Sequence, residues 1–422
     1  MRAAKNIWVY ADWIGINGPR LMGQLRADVG REGDIFSFTY DEQWLKEGPA
    51  LSLDPDLGLY NGPQFTREEK SSFGIFTDSA PDRWGRVLME RKESYNARLE
   101  KRAPKKLFES DYLLGVADFP RMGGIRFKLD PDGPFLDSSF ERAAPPIHNI
   151  RTLEAASLEI EQDNARENPR FGEWMRILLA PGTSLGGARP KASITDTNGH
   201  LWIAKFPSRF DEYDIGIWEA VVMQLANGAG INIAVGRAEQ YTARHHTYLT
   251  KRFDRTEEGR IHFASAMTLL GLTDGADGND GISYQHIAEF IMKSGANPNE
   301  NMKELWKRMV FNICVSNTDD HLRNHGFLLT SGGWVLSPAY DINPVLYSEH
   351  LKLNISEDSG ILSLDLALQE ASAFRLSNQE AKTLMDEIIQ SVSTWQQVAE
   401  TMGISRGDIE YMESAFDLSA KK

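Results

Sequence analysis

The sequence predicts an α+β chain with a mixed-sheet part, a mainly helical C-terminal lobe, and an additional subdomain at the N-terminus. Three observations carry this. Short runs with alternating apolar residues recur up to about residue 255, whereas apolar stripes at spacings of three and four dominate the rest. Between Lys128 and Asn149 the chain holds Asp-Pro-Asp-Gly-Pro and Ala-Ala-Pro-Pro with little periodic apolar content, which reads as a linker.

In chain order, Ile7, Val9 and Tyr10 mark a strand over 6–12, and Ile35, Phe36, Phe38 and Tyr40 mark another over 34–40. Glycine-bearing turns separate them, as in a small mixed sheet, and Leu51-Ser-Leu-Asp-Pro55 continues it. Phe73–Asp78 leads to Ser79-Ala-Pro-Asp-Arg-Trp-Gly-Arg86, where Pro81 suits the first turn of a helix running to about Asn96. Asp111–Val116 and Gly123–Phe127 close an N-terminal unit over 1–128, and the linker follows at 129–150.

A helix is expected over 151–163, then strands at 191–194, 201–206, 236–240 and 246–250, interrupted by a helix near 212–228. These make residues 151–255 a sheet-bearing small lobe. In 256–422, Met302, Leu305, Trp306, Met309, Val310, Ile313 and Cys314 form one stripe of a helix over 302–316. Leu384, Met385, Ile388, Ile389 and Val392 do the same near 378–392. No internal repeat is present.

A chain of 422 residues exceeds one core and suggests roughly two or three packed units. Its 41% hydrophobic and 25% charged residues are those of an ordinary globular protein, with no apolar run of membrane-spanning length. The start, Met-Arg-Ala-Ala-Lys-Asn-Ile-Trp-Val-Tyr, lacks a signal-peptide core, and the one cysteine, Cys314, falls on a buried helix face; a reducing cytoplasm fits. A net charge of −14 argues against wrapping nucleic acid unaided, and the basic run Lys101–Lys106 reads as solvated surface.

The chemistry concentrates in Ser316-Asn-Thr-Asp-Asp-His-Leu-Arg-Asn-His-Gly-Phe-Leu-Leu329, followed by Ser337-Pro-Ala-Tyr-Asp-Ile-Asn343. Asp319 and Asn324 stand five residues apart in a polar turn, and Asp341 follows two apolar runs joined by Ser331-Gly-Gly333. A phosphoryl-transfer enzyme can gather a base and two metal ligands this way, with Asp319 as base and Asn324 and Asp341 offering oxygens to Mg²⁺. Asp320 competes for the base role, but the spacing to Asn324 favours Asp319. The competing reading is an ordinary turn with Asp341 on a loop surface.

Such an enzyme also needs a lysine on a small-lobe strand to hold the ATP phosphates, commonly paired with a helix glutamate. Lys205 ends the strand at 201–206, and Glu219 lies on the next helix. Pro181-Gly-Thr-Ser-Leu-Gly-Gly-Ala-Arg-Pro-Lys191 matches neither common phosphate-loop pattern, yet Gly186 and Gly187 would let backbone amides approach phosphates, with Ser184 in the same loop and Lys191 in support. In Tyr248–Arg255, backbone groups of Lys251 and Phe253 would face adenine and Asp254 would reach the ribose; a salt-bridged joint is the alternative. The histidines form no zinc pattern, no G-x-S-x-G elbow is present, and His321 is read as structural.

Together these pieces resemble the HipA family of bacterial Ser/Thr kinases, toxins of HipA–HipB toxin–antitoxin modules. Phe76–Arg86 is close to the family's D-x-x-P-D-x-W-G-R form. Gly182–Lys191, Lys205-Phe-Pro207, Lys251–Arg255, Asn317–His321 with Asn324, and Pro338–Asp341 follow in the family's order. The resemblance implies a protein-kinase-like two-lobed fold with ATP and Mg²⁺ as cofactors, Asp319 as base, Asn324 and Asp341 as metal ligands, and Lys205 on the phosphates. It implies autophosphorylation at Ser184, with Thr183 the alternative acceptor, as a means of switching the enzyme off. It further implies a small HipB-like helix-turn-helix antitoxin supplying DNA contact, and a protein substrate, in some relatives an aminoacyl-tRNA synthetase. Lys251 departs from better-known relatives, which carry an acidic residue there. A small-molecule phosphotransferase of kinase fold and a non-catalytic pseudokinase co-repressor are the alternatives.

Overall fold

The computed structural model describes residues 4–30, 33–136, 144–162, 164–179, 187, 189–242 and 245–421. The chain forms two compact units: Met1–Phe210 with Asp254–Ala264 and Gly271–Thr273, and Asp211–Phe253 with Ser265–Leu270 and Asp274–Lys422.

The first unit holds a five-stranded sheet of β1 (Lys5–Ala11), β2 (Arg20–Val29), β3 (Asp34–Tyr40), β4 (Gln64–Phe65) and β5 (Ile125–Lys128), in the order β4-β3-β2-β1-β5. Every pairing is antiparallel, so the sheet is not mixed. Alternation works as expected in β1 and β3: Ile7, Val9, Phe36 and Phe38 are buried. Strand β2 lies where glycine-bearing turns are expected. The reason is Gly23, where a Cβ would fall 2.3 Å from the Thr39 carbonyl and 2.6 Å from the Phe38 ring. Here glycine permits a close approach between strands, beside a register shift at Val9/Tyr10.

Leu51–Pro55 is not a strand either. Asp54 turns inward, is buried, and accepts the Ile75 and Asp56 amides at 2.9 Å each. The helix Arg83–Leu99 starts two residues past the predicted proline: Asp82 caps it through Gly85 N at 2.8 Å, and Pro81 lies just outside. Arg86 grips Glu109 with both guanidinium nitrogens, at 2.6 and 2.7 Å. Arg121, fully buried, donates to the carbonyls of Ser79, Leu113, Val116 and Leu136, tying this helical layer together.

Helices Ile150–Ile160 and Phe171–Leu179 follow, then the antiparallel hairpin β6 (Lys191–Thr195) and β7 (Leu201–Lys205). Its turn is organised by Asp196, which accepts the His200 and Asn198 amides at 2.9 Å. The short strands β10 (Arg255–Thr256) and β11 (Gly259–Arg260) pair in the same unit, and β12 (Phe263–Ser265) comes next.

The second unit contains the helix Ile215–Gly228, capped by Asp214, and the hairpin β8 (Gly236–Glu239) and β9 (Thr247–Lys251). Its core is the helix Pro298–Cys314, in which Leu305, Trp306, Met309, Val310, Ile313 and Cys314 are wholly buried. Pro298 opens this helix four residues before the predicted start, because its missing N–H costs nothing in the first turn. Helix Asn378–Val392 has the expected bounds, set by a capping box between Ser377 and Glu380. A single hairpin, β13 (Gly326–Thr330) and β14 (Gly333–Leu336), interrupts these helices. No helix among the described residues is long and apolar enough to cross a membrane.

Candidate active site

Helix Pro298–Cys314 delivers the chain into a tight turn. Ser316 takes a left-handed conformation, φ +52°, and its hydroxyl donates to the Ala415 carbonyl at 2.9 Å. Asn317 binds back to Asn312, backbone to backbone at 2.9 Å and side chain to side chain at 3.0 Å. This locks the approach to Asp319 and Asp320.

The two neighbouring acids have opposite environments. Asp320 is buried, and its Oδ2 accepts from His325 Nε2 at 2.8 Å and from the Tyr284 hydroxyl. Burial pushes its carboxyl up, but His325 and the two hydrogen bonds outweigh burial and hold it below the usual range. Tyr284 is pushed well up, by burial first and then by the Asp320 charge, so it stays a donor. Asp319 faces solvent, its side chain 65% exposed, with Oδ1 2.6 Å from Lys352 Nζ.

Asn324 is buried at the base of the hairpin. Its Nδ2 donates to the Asp319 carbonyl at 3.3 Å, while its Oδ1 is buried with no hydrogen-bond partner. The far end of the hairpin returns to the same place. Ser337 N donates to the Gly326 carbonyl at 2.8 Å, and the Tyr340 hydroxyl donates to the Arg323 carbonyl at 2.6 Å. Asn343 N reaches Asn317 Oδ1 at 3.3 Å, and Asn343 Nδ2 reaches Asp341 Oδ1 at 3.4 Å. Asp341 itself sits at φ +59°, in the left-handed region that Asp tolerates better than bulky residues. The turn with Asp319, the residues before β13 and those after β14 are thus stitched together.

Among the described residues no group of three or more His, Cys, Asp or Glu could hold a metal. Mg²⁺ taken up with a nucleotide needs only one or two protein carboxylates, the remaining oxygens being phosphate and water. An amide oxygen buried without a partner, as Asn324 Oδ1 is, fits such a ligand.

The other predicted residues divide between the units. Lys205, half-buried, ends β7 in the first unit, directly opposite Lys191 in register. Lys191 is buried, with Nζ 3.0 Å from Asp82 Oδ2 and 3.4 Å from the Gly187 carbonyl. Gly187 has φ +95°, a conformation that favours glycine. Thr183, Ser184 and Gly186 lie outside the described residues. Asp254 is wholly buried, its Oδ2 accepting Gly123 N at 2.8 Å and Arg255 at 2.6 Å. That is the salt-bridged alternative, and a ribose would have to open this pair.

In the second unit Glu219 is buried on the helix Ile215–Gly228, where its charge helps raise Tyr248 after burial has done most of the work. Lys251 N donates to the Val235 carbonyl at 2.7 Å, and the Phe253 ring lies 5.5 Å from that of Tyr340. His321 is half-buried with Nδ1 unpartnered. Sequence reasoning missed Tyr284, His325 and Lys352; only the Asp320–His325 spacing of five residues gave a local signal.

The comparisons with known proteins agree with one another. The HipA-like C-terminal domain family matches residues 183–396, and the HipA N-terminal domain family matches residues 16–107. The chain is 25% identical over 363 residues to "Putative kinase Y4mE" of Sinorhizobium fredii, covering 80% of this chain and 76% of that protein. It is 24% identical to the serine/threonine-protein kinase toxin HipA of Shewanella oneidensis over 38% of this chain and 43% of that protein. The solved structure of Shewanella oneidensis HipA, from a complex with HipB and operator DNA, superimposes with a TM-score of 0.68 at 17% identity, covering 97% of this chain and 96% of that one. That likeness establishes the α+β, protein-kinase-like fold. With the C-terminal domain match spanning half its length, the chain belongs to the HipA family.

Proposed function

We propose that this chain is a protein serine/threonine kinase, transferring the γ-phosphoryl group of ATP to a hydroxyl on another protein. The observation that carries the reading is the division of labour at the hairpin: one exposed acid, Asp319, beside one engaged acid, Asp320, and a buried amide oxygen on Asn324 that lacks a partner. Asp319 would take the proton of the substrate hydroxyl as its oxygen bonds to the γ-phosphorus and the bond to ADP breaks. Mg²⁺, when bound, neutralises charge on the phosphates, and Asn324 and Asp341 would hold it.

Residues 151–255 would form the small lobe. Lys205, supported by Lys191 and the Gly186–Gly187 loop, would hold phosphates, and the backbone of Lys251 and Phe253 would meet adenine. Phosphorylation of Ser184 would add nearly two negative charges beside the ATP phosphates and expel the loop. The superimposable HipA was solved with HipB and operator DNA, which supports a small helix-turn-helix antitoxin as partner here. A chain of net charge −14 suits DNA contact made through such a partner. A component of the translation apparatus is the proposed substrate class.

The test is to incubate the purified chain with γ-labelled ATP, Mg²⁺ and a lysate, beside Asp319→Ala. Label on a second protein that vanishes with Asp319→Ala supports both activity and base. Label confined to small molecules favours a small-molecule phosphotransferase instead.

A further inference from the structure

Lys352 belongs to none of the motifs above, yet its ammonium lies 2.6 Å from Asp319 Oδ1. An exposed pair of this kind is ordinarily worth little. Two observations set this one apart. The backbone carrying Lys352 is fixed on both sides: its carbonyl accepts Gly278 N at 2.7 Å, Leu351 N donates to Gly360 O at 2.7 Å, and Asn354 N donates to Ile282 O at 2.9 Å. Leu351 and Leu353, on either side, are buried, so the lysine is presented from an ordered strip of chain. The acid it meets is also the one that the local fold leaves facing solvent, since Asp320 is held by Tyr284 and His325.

We propose that Lys352 is a catalytic residue of the phosphoryl transfer, an inference that rests on the kinase reading above. In the resting protein its charge is balanced by Asp319. As the substrate hydroxyl attacks, its proton passes to Asp319, its oxygen bonds to the γ-phosphorus, and the bond between that phosphorus and the bridging oxygen breaks to release ADP. Asp319 becomes neutral at that moment and its hold on Lys352 lapses. The ammonium is then left beside the phosphoryl oxygens, where the negative charge resides, and no net charge has been created or lost. Lysine and arginine clamps on a transferring phosphoryl group act in this way, stabilising the charge as it redistributes during transfer.

The experiment compares Lys352→Met, Lys352→Arg and Asp319→Asn in the purified full chain, measuring kcat, KM for ATP, ATP affinity by calorimetry and thermal stability. Lys352→Met should lower kcat by about 10²- to 10³-fold with ATP affinity within about twofold of wild type. Lys352→Arg should recover a substantial part of the lost rate. Lys352→Met with wild-type kcat, beside an inactive Asp319→Asn, overturns the role of Lys352 and leaves the kinase reading standing. A fall in kcat matched by loss of ATP affinity or of thermal stability also overturns it, because a merely structural contact would behave so. Should Lys352→Met be insoluble, Lys352→Gln carries the same comparison. Full turnover by Asp319→Asn refutes the underlying reading instead.

Discussion

Replacing Asp319 and Asp320 separately by alanine should split activity from stability. Asp320 is buried and accepts from both His325 and Tyr284, which are themselves buried. Its removal strands two buried polar groups without solvent, each costing about 1–3 kcal/mol, and more where the lost acceptor is a carboxylate. Asp320→Ala should therefore lower the unfolding free energy by about 3–5 kcal/mol. Asp319 meets Lys352 with both side chains well exposed, so after solvent screening that pair contributes less than about 1 kcal/mol. Asp319→Ala should leave stability within that margin while abolishing phosphoryl transfer.

Urea unfolding with a common m-value measures the difference, beside ATP turnover. The pH dependence has a definite sign. The Asp320 carboxyl is held below its unfolded value, so its contribution is present above about pH 4 and is lost as pH falls through the depressed folded value. The gap between wild type and Asp320→Ala should narrow in acid. A loss of more than about 2 kcal/mol in Asp319→Ala, or less than about 1 kcal/mol in Asp320→Ala, would refute the assignment of the two acids.

Further outcomes follow from other parts of the chain. Ser184→Asp should depress phosphoryl transfer strongly, and a variant turning over ATP at the wild-type rate would contradict self-inhibition by phosphorylation. Burial pushes the Cys314 thiol up to about 12, so the native protein should resist a thiol reagent at pH 8 and react once unfolded. Gly23→Val should destabilise the first unit by about 1–3 kcal/mol or more, because its Cβ would meet the Thr39 carbonyl and Phe38 ring; unchanged thermal unfolding would show that the strands can part there.

Much of this fold was legible because local chemistry and periodicity agreed. Ser377 with Glu380 and the stripe from Leu384 to Val392 give both the start and the face of one helix. The hairpin that follows the Asp319–Asp320 turn was legible for the same reason, two apolar runs joined by glycine. Strand β2 was hidden because Gly23 reads as a turn unless the neighbouring Phe38 and Thr39 are in view. Leu53 and Asp54 are buried by a loop that folds back on Ile75, a long-range contact that alternation imitates.

At the site, spacing favoured Asp319 over Asp320, but only packing against Tyr284, 36 residues earlier, gives that preference a physical cause. Lys352 carries no local signal at all, since it meets Asp319 through backbone anchored on Gly278 and Gly360. Asp254 shows the reverse case: a polar residue at a promising place in the sequence is buried against Gly123 and Arg255.

The most direct measurement is single-turnover phosphoryl transfer by the purified chain, wild type beside Asp319→Asn, with ATP and Mg²⁺, read as phosphate on serine or threonine by mass spectrometry. Wild type should acquire or transfer phosphate, and Asp319→Asn should do neither while still binding ATP. Equal transfer by the two proteins would contradict the account.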